Sequence, residues 1–256
     1  MSETLDIFGE FAPAYTISNE NQRWATSAVP GVSKVLTVAG SGDQALFYHL
    51  NGATHIDTFD KTRNARVIQD IKFIAAKNIS WQEYSNLLID LFYTQDITKI
   101  PTMQKLLPML PKQSIQIINK PGNKHIFGAG LEVRHYPENI PSPEEYAKLQ
   151  KTLKKPFKFI CCDLYDLSAK ISGTYDLINL SNIFDYCYDG QTQAKILSEL
   201  TDHINIGGHI AYLPQAQHFE YNRLRITSPK NAELVYEHKK TNPNISTKMI
   251  LFQRVR

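Results

Sequence analysis

Gly40, Ser41, Gly42 and Asp43 interrupt an apolar run, and an acid, Asp60, stands 20 residues after the first of these glycines. Two glycines so close together favour a tight turn, because glycine enters left-handed backbone without steric cost. A turn of this kind at the start of a helix directs free backbone N–H groups, and the positive end of the helix dipole, into the space above the preceding strand. A nucleotide-like ligand suits that place. Gly40, Gly42 and Ala45 satisfy a loose G-x-G-x-x-[G/A] pattern, and an acid at the position of Asp60 bonds ribose hydroxyls in nucleotide-binding βαβ units. The plainer alternative is that the glycines only make a turn, with Asp60 in solvent at an exposed strand end.

The elements that must position these residues follow from hydrophobic periodicity. Residues 35–39 are apolar apart from Thr37 and rich in β-branched side chains, which suits a strand buried on both faces of a parallel sheet. Ala45, Leu46, His49 and Leu50 recur at helical spacing, and residues 55–59 form a second strand ending at Asp60. Val67, Ile68, Ile71, Ile74 and Ala75 share one helical face that should cover the sheet. Ser80 with Glu83, and Ser142 with Glu145, each have the spacing of a capping box opening a further helix. Between them Pro101, Pro108, Pro111 and Pro121 punctuate the chain, and the stretches 116–119 and 122–130 are ambiguous. Residues 64–157 therefore read as a long, mainly helical insertion on the ligand side of the sheet, far longer than an ordinary crossover.

Residues 157–162 read as a third buried strand that ends at Asp163, and residues 175–181 as a fourth. A helix from about Thr192, carrying Ile196, Leu197, Leu200 and Ile204, is expected to stop at Gly207 and Gly208. A fifth strand covers 209–213, and 233–237 with 248–253 form an antiparallel hairpin on the sheet edge, joined by the turn-rich residues 240–244. Phe8, Phe11, Tyr15 and Trp24 argue that residues 1–33 are ordered, either as a cap over the ligand cleft or as a short helix on a sheet face.

Composition narrows the function classes. With 256 residues and 42% hydrophobic content the chain can bury a large core, and residues 1–256 read as one domain. It contains no run of about 18 apolar residues and no basic-then-apolar leader, which points to a cytoplasmic protein without a transmembrane segment. The three cysteines, Cys161, Cys162 and Cys187, have no metal-ligand spacing and read as buried thiols. His49, His125, His135 and His218 are scattered and read as surface or packing residues, so no metal site is expected. Between Lys99 and Lys158 eleven Lys and Arg face four Glu, a net +7 that leaves −4 for the rest of a chain whose total is +3. That patch, which includes Arg134 and His135, would suit an anionic substrate or peripheral contact with an anionic membrane, although scattered surface lysines give the same count.

Five strand-and-helix units followed by a terminal hairpin resemble the seven-stranded S-adenosylmethionine-dependent transferases. The resemblance implies an α/β, Rossmann-like, mostly parallel sheet of seven strands with a C-terminal antiparallel hairpin, and S-adenosylmethionine as cofactor. It implies that Gly40, Ser41, Gly42 and Asp43 approach the methionine moiety, with Thr37, Ala39, Lys61 and Leu164 also at the cofactor. Asp60 would take the ribose hydroxyls, Asp163 the adenine amino group, and Ser181 with Asn182 the floor of the cleft. The stretches Val35-Leu-Thr-Val-Ala-Gly-Ser-Gly-Asp-Gln-Ala-Leu46 and Leu180-Ser-Asn-Ile-Phe-Asp-Tyr186 are similar to those of the family of enzymes that move a 3-amino-3-carboxypropyl group from S-adenosylmethionine to diacylglycerol, in betaine-lipid synthesis. In that family a threonine replaces the first-strand acid of most methyltransferases, as Thr37 does here. Ala39 departs from the first glycine that many methyltransferases carry, and Thr37 cannot supply a carboxylate to the cofactor's ammonium group.

These features imply transfer of an aminocarboxypropyl or methyl group to a small-molecule or lipid acceptor, with Asp185 as general base and Tyr186 beside it. A helix-capping Asp185 and a cleft-wall Tyr186 are the alternative roles. The competing functions are an NAD-dependent oxidoreductase, whose fingerprint the glycines also satisfy, and an inactive transferase fold serving as a binding module. No stable nucleic-acid complex is expected.

Overall fold

Strands at residues 35–39 and 55–59 carry enough buried β-branched and aliphatic side chains to sit inside a parallel sheet, and the computed structural model places them there. The structure describes residues 9–94, 96–123, 126–129, 137–186, 190–214, 232–239 and 248–256. Among these residues the strands are β1 (Ala14–Tyr15), β2 (Lys34–Val38), β3 (His55–Asp60), β4 (Phe127–Ala129), β5 (Lys158–Cys161), β6 (Tyr175–Asn179), β7 (Ile204–Tyr212), β8 (Ala232–Lys239) and β9 (Lys248–Arg254). Seven of them form one sheet in the order β5-β3-β2-β6-β7-β9-β8. β3, β2, β6 and β7 are parallel, whereas β9 is antiparallel to β7 and β8 antiparallel to β9. The expected terminal hairpin is thus present, and its turn at 240–244 lies outside the described residues.

Two expectations are corrected. Residues 157–162 were expected as a buried strand, but β5 is the edge of the sheet, and Lys158 and Cys161 at its two ends are exposed. An edge strand has a neighbour on one side only, so apolar content alone does not bury it. Cys161 is accordingly exposed, Cys162 is buried, and Cys187 lies outside the described residues. The glycine pair does not cap a helix either. The helix ends at Thr201, and Gly207 and Gly208 lie within β7. There the register moves from Tyr175 opposite Ile204 to Leu177 opposite His209, and Gly207 takes φ 83° to turn the extra residues out of the ladder. Gly208 has no room for a side chain, since an added Cβ would stand 2.8 Å from the carbonyl oxygen of Asp176.

The chain divides into two compact units. The first comprises the described residues of 1–30, 39–52 and 60–161. Its helices are α1 (Gln22–Ser27), α2 (Asp43–Leu50), α3 (Arg63–Asn78), α4 (Trp81–Tyr93), α5 (Pro101–Leu106), α6 (Lys112–Ile118) and α7 (Pro143–Thr152). Both expected capping boxes form, with Ser80 and Glu83 opening α4 and Ser142 and Glu145 opening α7. α3 packs on α4, α5, α6, α7 and β1, and its face of Val67, Ile68, Ile71 and Ala75 is fully buried with Leu87, Leu88 and Leu149. Of the segment that precedes β2, residues 9–33 are described and carry β1 and the helix Gln22–Ser27, and Phe8 lies outside the described residues. Asn139 is the main anchor of this segment, accepting the Gln22 N–H at 2.9 Å and donating to the carbonyls of Ser18 and Glu20.

The second unit comprises the described residues of 31–38, 53–59 and 162–256, with α8 (Leu167–Lys170) and α9 (Gly190–Thr201). Ile196, Leu197 and Leu200 of α9 are buried, as their spacing required. At the start of the strands Asp176 accepts the N–H groups of Ser33 and Lys34, and the Tyr175 hydroxyl donates to Asp57 at 2.8 Å. Partly buried Asp176 thus ties the entry to β2 to the start of β6, and buried Asp57 holds the Tyr175 hydroxyl across the sheet.

Candidate functional site

In the first unit the site is built on the turn after β2. The Gly42 N–H bonds back to the Ala39 carbonyl at 2.6 Å, which requires the left-handed conformations of Gly40 (φ 48°) and Gly42 (φ 81°). The two glycines are glycine for different reasons. A Cβ on Gly42 would meet Cα of Gln69 in α3 at 3.1 Å, whereas a Cβ on Gly40 would meet nothing within 4 Å. Gly42 is packed down on a helix, and Gly40 faces open space. Asp60 then closes the turn, with Oδ2 accepting the Gly40 N–H at 3.0 Å and Oδ1 accepting the Thr62 N–H at 3.1 Å. Its half-buried side chain is not the solvated group of an exposed strand end. Burial raises the carboxyl above its usual pKa, opposed by the Thr62 and Gly40 N–H groups. A carboxylate held this way keeps lone pairs for a hydroxyl donor. Lys61 beside it is exposed, and its carbonyl accepts the Cys161 thiol at 3.8 Å.

Beneath the turn lies a charge pair for which the sequence reading had no role. Asp43 and Lys72 form an ion pair in which both side chains are 1% exposed. The other carboxylate oxygen, Oδ2, accepts the Ser41 hydroxyl and the Ser18 N–H, each at 2.8 Å. Asp43, grouped by the resemblance with the ligand-facing turn, is therefore an anchor that holds Ser41 and the N-terminal segment to the start of α2. Burial lowers the Lys72 pKa against the pull of Asp43, and raises that of the buried Tyr84 phenol well above the ordinary value. A signal for Lys72 was present in the sequence: it stands four residues after Ile68 and three before Ala75, on the apolar face of α3. Ser18, Glu20, Gln22 and Gln44, also missed, form a buried polar cluster at the same helix start.

The remaining expected residues belong to the second unit. Thr37 is in register with Thr58 on one side and Asn179 on the other, and all three are fully buried, so a row of neutral polar side chains crosses β3, β2 and β6. Asn179 Oδ1 accepts the Ser181 N–H at 2.9 Å, and the Ser181 carbonyl accepts the Leu213 N–H at 2.8 Å. Held at both its amide and its carbonyl, Ser181 adopts φ 52°, and among the described residues it is the one non-glycine residue with positive φ. Such backbone strain persists where surrounding contacts over-determine it. Asn182 follows, partly buried, and Phe184 packs edge-on against Tyr212 with ring centres 5.3 Å apart. Tyr186 is 47% exposed, and the side chain of Asp185 lies outside the described residues. Asp163 caps the short turn Leu164–Asp166 by accepting the Tyr165 N–H at 3.2 Å, with Leu164 half-buried beside it.

No protein-family model matches the sequence, and no curated protein matches it. Solved methyltransferase structures are similar to it. N-methyltransferase NodS from Bradyrhizobium japonicum WM9 aligns over 93% of this chain and 99% of its own, with 8% identity and a TM-score of 0.47. The rRNA methyltransferase aviRa from Streptomyces viridochromogenes aligns over 92% of this chain and 83% of its own, with 12% identity and a TM-score of 0.48. The ribosomal protein L11 methylase from Lactobacillus delbrueckii subsp. bulgaricus covers 92% and 75%, with 10% identity and a TM-score of 0.42. Similarity at this level carries no weight for function. The architecture of this chain is read from its own strand order.

Among the described residues, no group of three or more His, Cys, Asp or Glu is placed to hold a metal ion, and no helix is long and apolar enough to cross a membrane. His49 is a packing residue, half-buried with its Nε2 2.9 Å from the Thr152 hydroxyl. His125, Arg134, His135 and His218 lie outside the described residues.

Proposed function

We propose that this protein is an S-adenosylmethionine-dependent transferase that moves an aminocarboxypropyl or methyl group to a small-molecule or lipid acceptor. The observation that carries the reading is the Gly40–Asp60 pair: a left-handed glycine with open space above it, its N–H held by an acid at the end of β3. The strand order, with β9 inserted antiparallel between β7 and β8, supports the same reading. The arrangement fits a nucleoside ligand, because backbone N–H groups and a carboxylate offer complementary partners to an amino-acid carboxylate and to ribose hydroxyls.

On this reading Gly40, Ser41 and Gly42 hold the amino-acid end, Asp60 and Lys61 the ribose, and Asp163 and Leu164 the adenine. Thr37, Ala39, Ser181 and Asn182 line the remainder. When bound, the cofactor supplies an electrophilic carbon beside a positively charged sulfur that leaves as a neutral thioether. The protein's part is to align the acceptor, exclude water and take one proton. Asp185 is assigned that proton, from an acceptor hydroxyl or amine, with Tyr186 beside it. Thr37, within a buried row that carries no charge, supports the aminocarboxypropyl branch, in which the methionine chain is turned so that its γ-carbon faces the acceptor. Lys151, Lys154 and Lys155 are exposed, in keeping with contact to an anionic surface near the acceptor.

Calorimetry with S-adenosylmethionine, S-adenosylhomocysteine and NAD tests the cofactor. Binding of the sulfur compounds in preference to NAD is expected, and tight NAD binding without response to either would overturn the proposal. The group transferred is read from the nucleoside released in a cell extract. Methylthioadenosine marks aminocarboxypropyl transfer, and S-adenosylhomocysteine without it marks methyl transfer.

A further inference from the structure

β6 is the middle strand of the seven, and it ends on a polar residue where an aliphatic one would pack as well. Asn179 is fully buried, in register with Thr37 of β2 on one side and Ala211 of β7 on the other. A carboxamide in such a place is costly unless it is hydrogen-bonded, so its bonds account for its presence. Its Oδ1 accepts the N–H of Ser181, two residues on, at 2.9 Å. An asparagine bonded in this way makes a turn of the backbone that follows it.

The turn so made is both strained and fixed. Ser181 takes φ 52°, where the Cβ of an L-residue crowds its own backbone. Its carbonyl accepts the Leu213 N–H at 2.8 Å, and the Leu180 carbonyl accepts the Ile183 N–H at 3.2 Å. The Phe184 ring, fully buried against Tyr212, anchors the far side, and the Phe184 carbonyl accepts Gln193 Nε2 at 3.2 Å. Strain of this kind persists where the surrounding contacts over-determine the backbone, and such places are concentrated at ligand clamps and active sites. Between the two pinned points, Ser181 and Phe184, stand Asn182 and Ile183, both partly exposed, and Asn182 is the polar one. We infer that Asn179 is a positioning residue of the ligand site: by holding Ser181 in the left-handed conformation it sets Asn182 at the bound ligand. Ligand affinity then depends on Asn179 through Asn182. The inference rests on the S-adenosylmethionine reading, and it gives a fully buried strand residue a part in binding.

The test is a double-variant cycle read by calorimetry with S-adenosylhomocysteine. Asn182→Ala should weaken binding by about tenfold, the loss of one hydrogen bond to the ligand. Asn179→Val, which suits a strand but removes the acceptor, should weaken it by about the same factor. Asn179→Thr has nearly the same shape as Asn179→Val but retains a hydroxyl that can accept the Ser181 N–H, and it should lose less. The double variant of Asn179→Val with Asn182→Ala should bind no more than about twofold worse than Asn179→Val alone, because residues that act as one unit do not add. Additive losses would show that Asn179 supports the fold and does not act through Asn182, and would overturn the inference. Undiminished affinity in Asn179→Val or in Asn182→Ala would overturn it too, as would equal affinity in Asn179→Val and Asn179→Thr. Should Asn179→Val fail to fold by circular dichroism, Asn179→Thr takes its place in the cycle: Asn182→Ala should then cost less in that background than in the wild type, and an equal cost overturns the inference. Absence of wild-type binding to S-adenosylhomocysteine is a different result, which removes the cofactor reading and this inference with it.

Discussion

A carboxylate and a glycine do different work at the same turn. Asp60 ties Gly40 to the end of β3, so a change at Asp60 disturbs the turn as well as any ligand. Asp43 and Lys72 are paired at 1% exposure, an arrangement tolerable because the remaining carboxylate oxygen is satisfied by Ser41 and Ser18. The glycines provide the sharpest residue-scale prediction. Gly40→Ala places a side chain at φ 48° in open space, for a cost of about 1–2 kcal/mol. Gly42→Ala adds to the same strain a contact of 3.1 Å with the backbone of Gln69, which should bring the loss to roughly 2–5 kcal/mol. Urea unfolding of the two variants checks the order. Equal losses would mean that α3 does not hold the turn down.

At the scale of elements the instructive case is the glycine pair in β7. Were it a helix cap, Gly207 at the left-handed position would be the costlier to replace. In the bulge, Gly207 at φ 83° has open space around it, while a Cβ on Gly208 would lie 2.8 Å from the Asp176 carbonyl and 2.9 Å from Ile204 Cγ2. Gly208→Ala should therefore lose about 2–4 kcal/mol, against about 1–2 for Gly207→Ala. Amide hydrogen exchange should place the extra opening in β6 and β7. The same bulge sets the register of Leu177, Ile178 and Asn179 against His209, Ile210 and Ala211, and hence the level at which Ser181 leaves the sheet.

For the whole molecule, stability should fall on the acid side of neutrality. His49 in the first unit and His209 in the second are each half-buried, and burial lowers both pKa values, with Lys148 adding to the effect at His49. The unfolded chain then binds more protons than the folded one just below the ordinary histidine value, so stability rises with pH there and is lost as pH falls through about 6.5. Thermal unfolding followed from about pH 7.5 to about pH 5.5 should show a declining midpoint. A double variant, His49→Gln with His209→Gln, should show a smaller decline. An equal decline would assign the effect to other groups.

What the sequence determined by itself was local and periodic. The capping boxes at Ser80 and Ser142, the helical face of α3, the strand–glycine–helix passage at Gly40 and the terminal hairpin all follow from spacing, because caps, turns and amphipathic faces are set by neighbours within a few residues. Asp60 was legible for the same reason, at a fixed distance after a turn. What only the tertiary structure decided depended on partners far along the chain. That β5 is an edge strand, that Asp43 is an anchor neutralised by Lys72, and that Glu20 lies against Gln44 are each fixed by which distant segment packs there. Spacing cannot carry that information, since a buried charge or an exposed strand end is a property of the surroundings and not of the residue.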